Sequence, residues 1–219
     1  MLNIEITEEN IISIPFDEYF SENVKLTKNE IEFYGKCGKE HYRLLSYISS
    51  LFNYCNIIDL GSHRGMSALA LSYNETNTIY SFDIVDNVTE QVIKDKSNIK
   101  FIHDNLWETD IQEKWKELIL KSEFIFLDVD PHNGVMEIIF YNYLKKINYT
   151  GFIICDDIWY FENMREIFWF KLNKKYCYDY TNLGHWSGTG IVTFNDNKYK
   201  FNKDALDKCD NLNIFRHYY

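Results

Sequence analysis

Proline and glycine are scarce in this 219-residue chain, with two and nine copies. Collagen-like repeats and Pro/Gly-rich disordered tracts are thereby excluded. Cysteine occurs five times, at positions 37, 55, 155, 177 and 209, an odd number with no C-x-x-C spacing. Neither a zinc-ligand pattern nor a disulfide framework is written there. Cys55 and Cys155 stand beside apolar runs and are expected as reduced core thiols. Positive charge is in deficit: 33 acidic residues face 23 basic ones, for a net charge of −10. Such a chain repels a phosphate backbone, which argues against a nucleic-acid partner and suits a divalent cation better. Lys171, Lys174 and Lys175 come nearest to a basic patch and read as the solvated end of a helix. No apolar run reaches the ~20 residues of a membrane span. The acidic start MLNIEITEEN lacks the basic and apolar regions of a leader, so the expectation is a cytoplasmic protein with no membrane partner.

What is present is a large apolar supply. Hydrophobic residues make up 46% of the chain and aromatics 17%, enough to fill one domain of this length. No repeat or linker divides it. The expected layout is a single domain over residues 1–219, with an N-terminal arm or lid (1–37), a core (38–195) and a C-terminal tail (196–219). The aromatics Phe16, Tyr19 and Phe20 of the arm are placed to close over an acceptor or to pack a homo-oligomer.

Residues 27–52 read as helical, with apolar positions recurring at three- and four-residue steps. The period then changes. CNIIDL (55–60), TIYSFDI (78–84), NIKFIHD (98–104), EFIFLDVD (123–130) and TGFIICDD (150–157) are short β-rich runs. Helical stretches at 66–73, 88–94, 110–120, 135–147 and 161–172 follow them in turn. KYCYDY and GTGIVTF are two β runs without a helix between, which predicts an antiparallel hairpin. Alternating strands and helices, with strands too apolar for a solvated face, predict an α/β doubly wound (Rossmann-like) fold. The sheet should have seven strands, mostly parallel, with the antiparallel C-terminal hairpin at one edge.

Ligands of such sheets bind at the carboxyl ends of the strands. The first strand ends Asp59-Leu60-Gly61-Ser62-His63-Arg64-Gly65-Met66-Ser67. Gly61 permits a tight turn and close ligand approach, Gly65 opens the next helix, and free N–H groups there face a carboxylate. An ordinary strand–loop–helix turn would look the same. Asp83 ends the second strand about twenty residues later, where a carboxylate accepts hydrogen bonds from a ribose; it, or Asp86, could instead cap a helix. Asp104, after His103, could read an adenine amino group or simply make a turn. No G-x-G-x-x-G or G-K-[ST] is present, which removes the dinucleotide and P-loop readings.

The D-x-G-x-x-x-G-x-S pattern, the acid ending the second strand and the closing GTGIVTF strand resemble class I S-adenosylmethionine-dependent methyltransferases over residues 38–195. The resemblance implies that Asp59, Gly61, Ser62, Gly65 and Ser67 surround the methionine end of the cofactor, Asp83 its ribose and Asp104 its adenine. On the acceptor side, Asp128, Asp130 and His132 end the fourth strand, and Asp156 and Asp157 the fifth. Carboxylates so close raise one another's pKa unless a cation joins them, and oxygen-rich clusters select Mg²⁺, Ca²⁺ or Mn²⁺. Helix capping is the alternative for any one of them. The D-x-D…D-D pattern is similar to metal-dependent O-methyltransferases of the catechol and macrocin (sugar) types. It implies Asp128, Asp156 and Asp157 as metal ligands, with magnesium expected, and Asp130 as general base. The catechol type has Asn where Asp157 stands, so the sugar-type pattern fits better. His132 is an alternative base, since imidazole as a side chain ordinarily exchanges its proton near neutral pH. His185-Trp186-Ser187 could line an acceptor pocket, although a core Trp at a hairpin is the reading preferred here. Glu40, His41 and Tyr42 could touch the cofactor.

The function expected is therefore O-methylation of a small acceptor, a sugar or sugar nucleotide favoured. A metal-independent methyltransferase and a non-catalytic cofactor-binding protein are the alternatives.

Overall fold

The apolar runs become strands and the amphipathic stretches helices, in a computed structural model that describes residues 1–24, 39–85, 96–194 and 198–202. Its first half runs β1 (Leu2–Ile4), α1 (Glu8–Ile12), α2 (Phe16–Asn23), α3 (Lys39–Ser50), β2 (Asn56–Leu60), α4 (Met66–Leu71), β3 (Thr78–Asp83) and β4 (Ile99–His103). Then come α5 (Thr109–Lys121), β5 (Ser122–Leu127), α6 (Val135–Lys146), β6 (Phe152–Asp156), β7 (Cys177–Asp179), β8 (Thr189–Thr193) and β9 (Tyr199–Phe201). The helix expected at 88–94, the first part of the 27–52 helix, Asp86, Cys37, Cys209 and the Glu40 side chain lie outside the described residues.

Seven strands form one sheet in the order β4-β3-β2-β5-β6-β8-β7. The pairs from β4 through β6 are parallel, and β8 runs antiparallel to both β6 and β7. The chain starts at β2, builds outward through β3 and β4, then returns to lay β5 and β6 on the other side. The order therefore reverses between β2 and β5, and a ligand crevice opens at their carboxyl ends.

Each face of the sheet is covered. Leu44, Leu45 and Ile48 of α3 bury themselves against Ile57, Phe124 and Phe152 on one side. Phe140 and Leu144 of α6, with Phe168 and Trp169, pack on Ile58, Ile125 and Ile153 on the other. Alternate residues of β2 and β5 thus serve opposite cores, the reason these strands are apolar throughout.

Three local expectations are corrected. Residues 161–172 do not form a regular α-helix; Met164–Phe168 make a π-helical turn and Trp169–Lys171 a 3₁₀ turn. Met164, Phe168, Trp169 and Leu172 are all buried, and the wider turn is what brings them to one face. Trp186 is not a core residue: it is 50% exposed, while its neighbour Ser187 is buried and accepts a hydrogen bond from the Trp159 N–H at 2.9 Å. The arm, finally, is built into the domain. Phe16 and Phe20 belong to the first core, and Tyr19 packs edge-on against Tyr73 and shares a 2.8 Å hydrogen bond with Ser72.

One element has no counterpart in the sequence reading. β1 pairs in parallel with β9, Ile4 opposite Phe201. The Asn202 side chain continues the ladder, accepting from the Ile6 N–H and donating to the Ile6 carbonyl, each at 2.9 Å. Cys155 and Cys177 are buried and Cys55 is half-buried, and the Cys177 thiol donates to the Asn173 carbonyl. Among the described residues, no helix is long and apolar enough to cross a membrane.

Candidate active site

At the reversal point lies a cavity of about 470 Å³, in the size range of a nucleoside-bearing ligand. Its floor is the turn after β2. The Asp128 N–H donates to the Leu60 carbonyl at 3.0 Å, tying the ends of β2 and β5 together. Gly61 takes φ +96° there, and a Cβ on it would stand 1.7 Å from the Asp128 carbonyl oxygen. Only glycine fits. Gly65 (φ 82°) starts α4 in the left-handed region.

Behind this turn a chain of polar groups is buried. Asp59 has no exposed surface; the Ser81 hydroxyl donates to its Oδ2 at 2.5 Å and also meets the Ser62 hydroxyl at 2.5 Å. Asp59 Oδ1 has no hydrogen bond of good geometry. Burial raises the Asp59 carboxyl to about 6, with the Ser81 and Ser67 hydroxyls opposing the rise. A carboxyl raised in the folded state gives stability that is whole below its unfolded value and fades as pH climbs through about 6. The melting temperature of the Asp59→Asn variant should therefore fall less between pH 4 and pH 7 than that of the wild type. Parallel profiles for the two proteins in thermal melts would refute this assignment.

Asp83 and Asp104 stand on the cavity wall. Both oxygens of Asp83 are oriented by backbone: Oδ2 accepts from the His63 N–H at 2.8 Å and Oδ1 from the Val85 N–H at 2.9 Å. Asp104 Oδ2 accepts from Lys114 Nζ and Trp115 Nε1, each at 2.7 Å. The Lys114 bond, then Trp115, holds the Asp104 carboxyl below its ordinary range. Val85, Leu106, Trp107 and Met136 supply an apolar rim, with Trp107 Nε1 fixed to the Met136 carbonyl at 2.9 Å.

The same cavity continues past Asp128, Asp130 and His132. His132 is the hub: its Nδ1 lies 3.1 Å from Asp157 Oδ2 and 3.6 Å from Asp128 Oδ1, and its Nε2 lies 3.1 Å from Asp130 Oδ1. His132 and Asp157 both adopt positive φ, 52° and 58°, a strained conformation of the kind that gathers at functional sites. Burial first, and then the charges of Asp156, Asp157 and Asp59, push the Asp128 carboxyl well above the usual carboxylate range. Asp130 differs: its side chain is 97% exposed. On the inner side, Asp156 and Asp157 meet His185, whose Nδ1 is 3.5 Å from Asp156 Oδ1 and 3.6 Å from Asp157 Oδ1. Desolvation opposes the His185 proton, but the hydrogen bonds and charges of Asp156 and Asp157 outweigh it and raise the imidazole to about 10.

No family model and no curated protein matches this sequence. Solved structures do. One is a Staphylococcus aureus protein assigned as a caffeoyl-CoA O-methyltransferase, 12% identical, covering 86% of this chain and 100% of its own, with a TM-score of 0.54. The two share a fold, a Rossmann-like α/β domain whose sheet in this chain has seven mostly parallel strands and an antiparallel pair at one edge. Aeropyrum pernix fibrillarin with natively bound S-adenosylmethionine overlaps less (14% identity, 68% of this chain and 73% of that one, TM-score 0.46). The MycE methyltransferase of mycinamycin biosynthesis, in complex with Mg, S-adenosylhomocysteine and mycinamycin VI, overlaps less again (17%, 48% and 30%, TM-score 0.38).

Within this fold, Gly61, Asp83, Asp104, Asp128, Asp130 and His132 line one cavity. Asp59, Ser62 and Ser67 stand behind its floor as buried polar residues, and Gly65 opens α4. The three carboxylates expected to share a cation do not gather as one set. Asp128 groups with Asp157 and His132, and Asp156 groups with Asp157 and His185. His41 lies not among the cavity-lining residues but against Asp156, its Nδ1 3.9 Å from Asp156 Oδ1. Sequence reasoning passed over the apolar rim. The signal was available: Ile84-Val85 follows Asp83 and Leu106-Trp107 follows Asp104, each an apolar pair just beyond a strand-end acid.

Proposed function

We propose that this protein transfers a methyl group from S-adenosylmethionine to a hydroxyl of a small acceptor. The observation that carries the reading is the continuity of the cavity, from Asp83 and Asp104 at one end to Asp128 and His132 at the other. A ribose-binding carboxylate and a proton-accepting pair thus face the same space.

The residues present fit the cofactor. Asp83, with both oxygens oriented by N–H groups, offers its outer lone pairs to a ribose diol. Gly61 exposes bare backbone, and the apolar rim suits a purine. Asp59, fully buried behind the Gly61 turn, braces that floor through Ser81 and Ser62. When bound, the cofactor supplies an electrophilic methyl on sulfur. His132 then receives the acceptor hydroxyl's proton, held by Asp157 at 3.1 Å in the manner of a base with its orienting carboxylate. That methyl would pass to the acceptor oxygen, leaving S-adenosylhomocysteine as the product. The cavity walls contribute mainly by alignment.

A divalent cation also fits. Asp128 and Asp157 present hard oxygen donors, and mutual repulsion among Asp128, Asp156 and Asp157 would be relieved by positive charge. Mg²⁺ is held through one or two carboxylates with water and substrate completing its shell. Such an ion would make the acceptor hydroxyl more acidic. Asp156 stands beside Asp157 but turns toward His41 and His185.

A sugar is the acceptor favoured, on the D-x-D…D-D pattern and on the exposed rings of Tyr160 and Trp186, 5.7 Å apart, next to His185. Aromatic faces of this kind stack on sugar rings. The test is a turnover assay that reads S-adenosylhomocysteine across a panel of sugar nucleotides, glycosides and catechols, with and without Mg²⁺. Release that depends on a hydroxylated acceptor supports the reading. No release with any acceptor, from protein that binds the cofactor product, would favour a non-catalytic binder.

A further inference from the structure

The turn that follows β6 is anchored from three sides by groups that no step of the chemistry touches. Asp157-Ile158-Trp159-Tyr160 closes on itself through the Tyr160 N–H, which donates to the Asp157 carbonyl at 3.0 Å. Within this turn Trp159 has each of its polar groups engaged. Its backbone N–H donates to the Ser187 carbonyl at 2.9 Å. Its carbonyl accepts from Arg165 Nη1 at 2.8 Å, and its indole Nε1 donates to Asp179 Oδ2 at 2.8 Å. Gly188 stands so close behind that a Cβ there would lie 2.7 Å from the Trp159 nitrogen.

Asp179 is the unexpected member. It belongs to β7, the edge strand of the sheet, yet it is only 5% exposed. Its Oδ1 accepts from the Thr181 N–H and hydroxyl, at 3.0 and 2.6 Å, and the indole serves the other oxygen. A carboxylate taken out of water is costly unless such bonds hold it. Neither Asp179 nor Trp159 is among the residues lining the cavity. What their bond holds is a strained backbone. Asp157, two residues before Trp159, sits at φ 58° in the left-handed region, and a residue with a side chain stays there only where its surroundings over-determine it. Asp157 Oδ2 in turn lies 3.1 Å from His132 Nδ1. The contacts thus run from the sheet edge to the proposed base.

We propose that the hydrogen bond between Trp159 and Asp179 positions His132, acting through the turn that presents Asp157. The effect on rate rests on the methyl-transfer reading; the placement of the imidazole does not. Without the bond the indole is released, the turn relaxes toward ordinary backbone, and the Asp157 carboxylate leaves the imidazole. Misplacing a catalytic group by about 1 Å costs up to ~10²-fold in rate. The cofactor end of the cavity, at Asp83 and Asp104, is untouched. A bond that served stability alone would leave the imidazole where it is.

The experiment replaces the two partners in turn and reads both His132 and the rate. Trp159→Phe keeps a ring beside Phe170, 5.7 Å away in the wild type, and removes the N–H donor. Asp179→Ala removes the acceptor, whereas Asp179→Asn retains an oxygen for the indole. In NMR spectra of the full-length protein, the His132 ring signal, assigned with His132→Gln, should move in Trp159→Phe and Asp179→Ala. It should return to the wild-type position in Asp179→Asn. With a glycoside that turns over, kcat should fall about ten- to a hundredfold in the first two variants and recover with asparagine. KM for S-adenosylmethionine and affinity for S-adenosylhomocysteine should not change. The double variant Trp159→Phe/Asp179→Ala should be no slower than the slower single one, because both remove the same bond. An unmoved His132 signal in folded Trp159→Phe, additive losses in the double variant, or losses confined to melting temperature would overturn the proposal. Asp179→Ala serves the same comparison if Trp159→Phe does not fold. If the wild type turns nothing over, the methyltransferase reading falls and the His132 signal alone decides the positioning.

Discussion

Replacing Gly61 by alanine is expected to remove about 4 kcal/mol of folding stability, from left-handed backbone strain and a forced steric shift of about 1–3 kcal/mol each. Gly61 sits at φ +96°, and the new Cβ would fall 1.7 Å from the Asp128 carbonyl oxygen. A flexible side chain could step aside, but a carbonyl at the end of a central strand cannot. Relief requires β2 and β5 to part where Asp128 N–H bonds to the Leu60 carbonyl, at the mouth of the cavity. Native domains hold only about 5–15 kcal/mol in reserve, so the variant should melt well below the wild type or accumulate unfolded. Urea denaturation measures it. A midpoint close to the wild type would mean that the turn relaxes at low cost, and that the close approach of the two strands is not a fixed feature.

The second large effect concerns the proton. His132→Gln should lower the rate of methyl transfer by about 10²–10⁴-fold, the usual contribution of a general base. Asp130→Asn should cost less than about tenfold. The D-x-D resemblance alone assigns the base to Asp130. The structure favours His132: Asp130 is 97% exposed, whereas His132 is 23% exposed and braced by Asp157 and Asp128. Glutamine keeps the length and polarity of the imidazole but accepts no proton. Single-turnover rates, with cofactor-product affinity as a folding control, separate the two. The reverse order, with Asp130→Asn the more damaging, would return the base to Asp130 and leave His132 as its orienting partner.

Much of the sheet was legible because the central parallel strands are buried on both faces and lead into turns. NIIDL, TIYSFD and FIICD need no distant information to be read as buried strands. The site acids were legible for the same reason: Asp83, Asp104 and Asp128 come directly after such runs. What escaped depends on contacts remote in sequence. β1 is three residues long, and it is a strand only because Tyr199–Phe201 lies beside it. The turn at Met164–Leu172 has helical spacing, yet burying Phe168 and Trp169 together requires a wider coil. Trp186 reads as core by composition; its exposure follows from Ser187 taking the buried position instead. The His41–Asp156–His185 grouping joins α3, the end of β6 and the turn before β8, and no local pattern announces it.

The most direct test of the central claim is calorimetric titration of S-adenosylhomocysteine into the wild type and the Asp83→Ala variant. The account predicts one site in the wild type. In the variant, affinity should fall by about ten- to a hundredfold, as expected for losing hydrogen bonds to a charged group worth about 1.5–3 kcal/mol. No binding to folded wild-type protein, or binding indifferent to Asp83, would contradict the account of this crevice as a cofactor site.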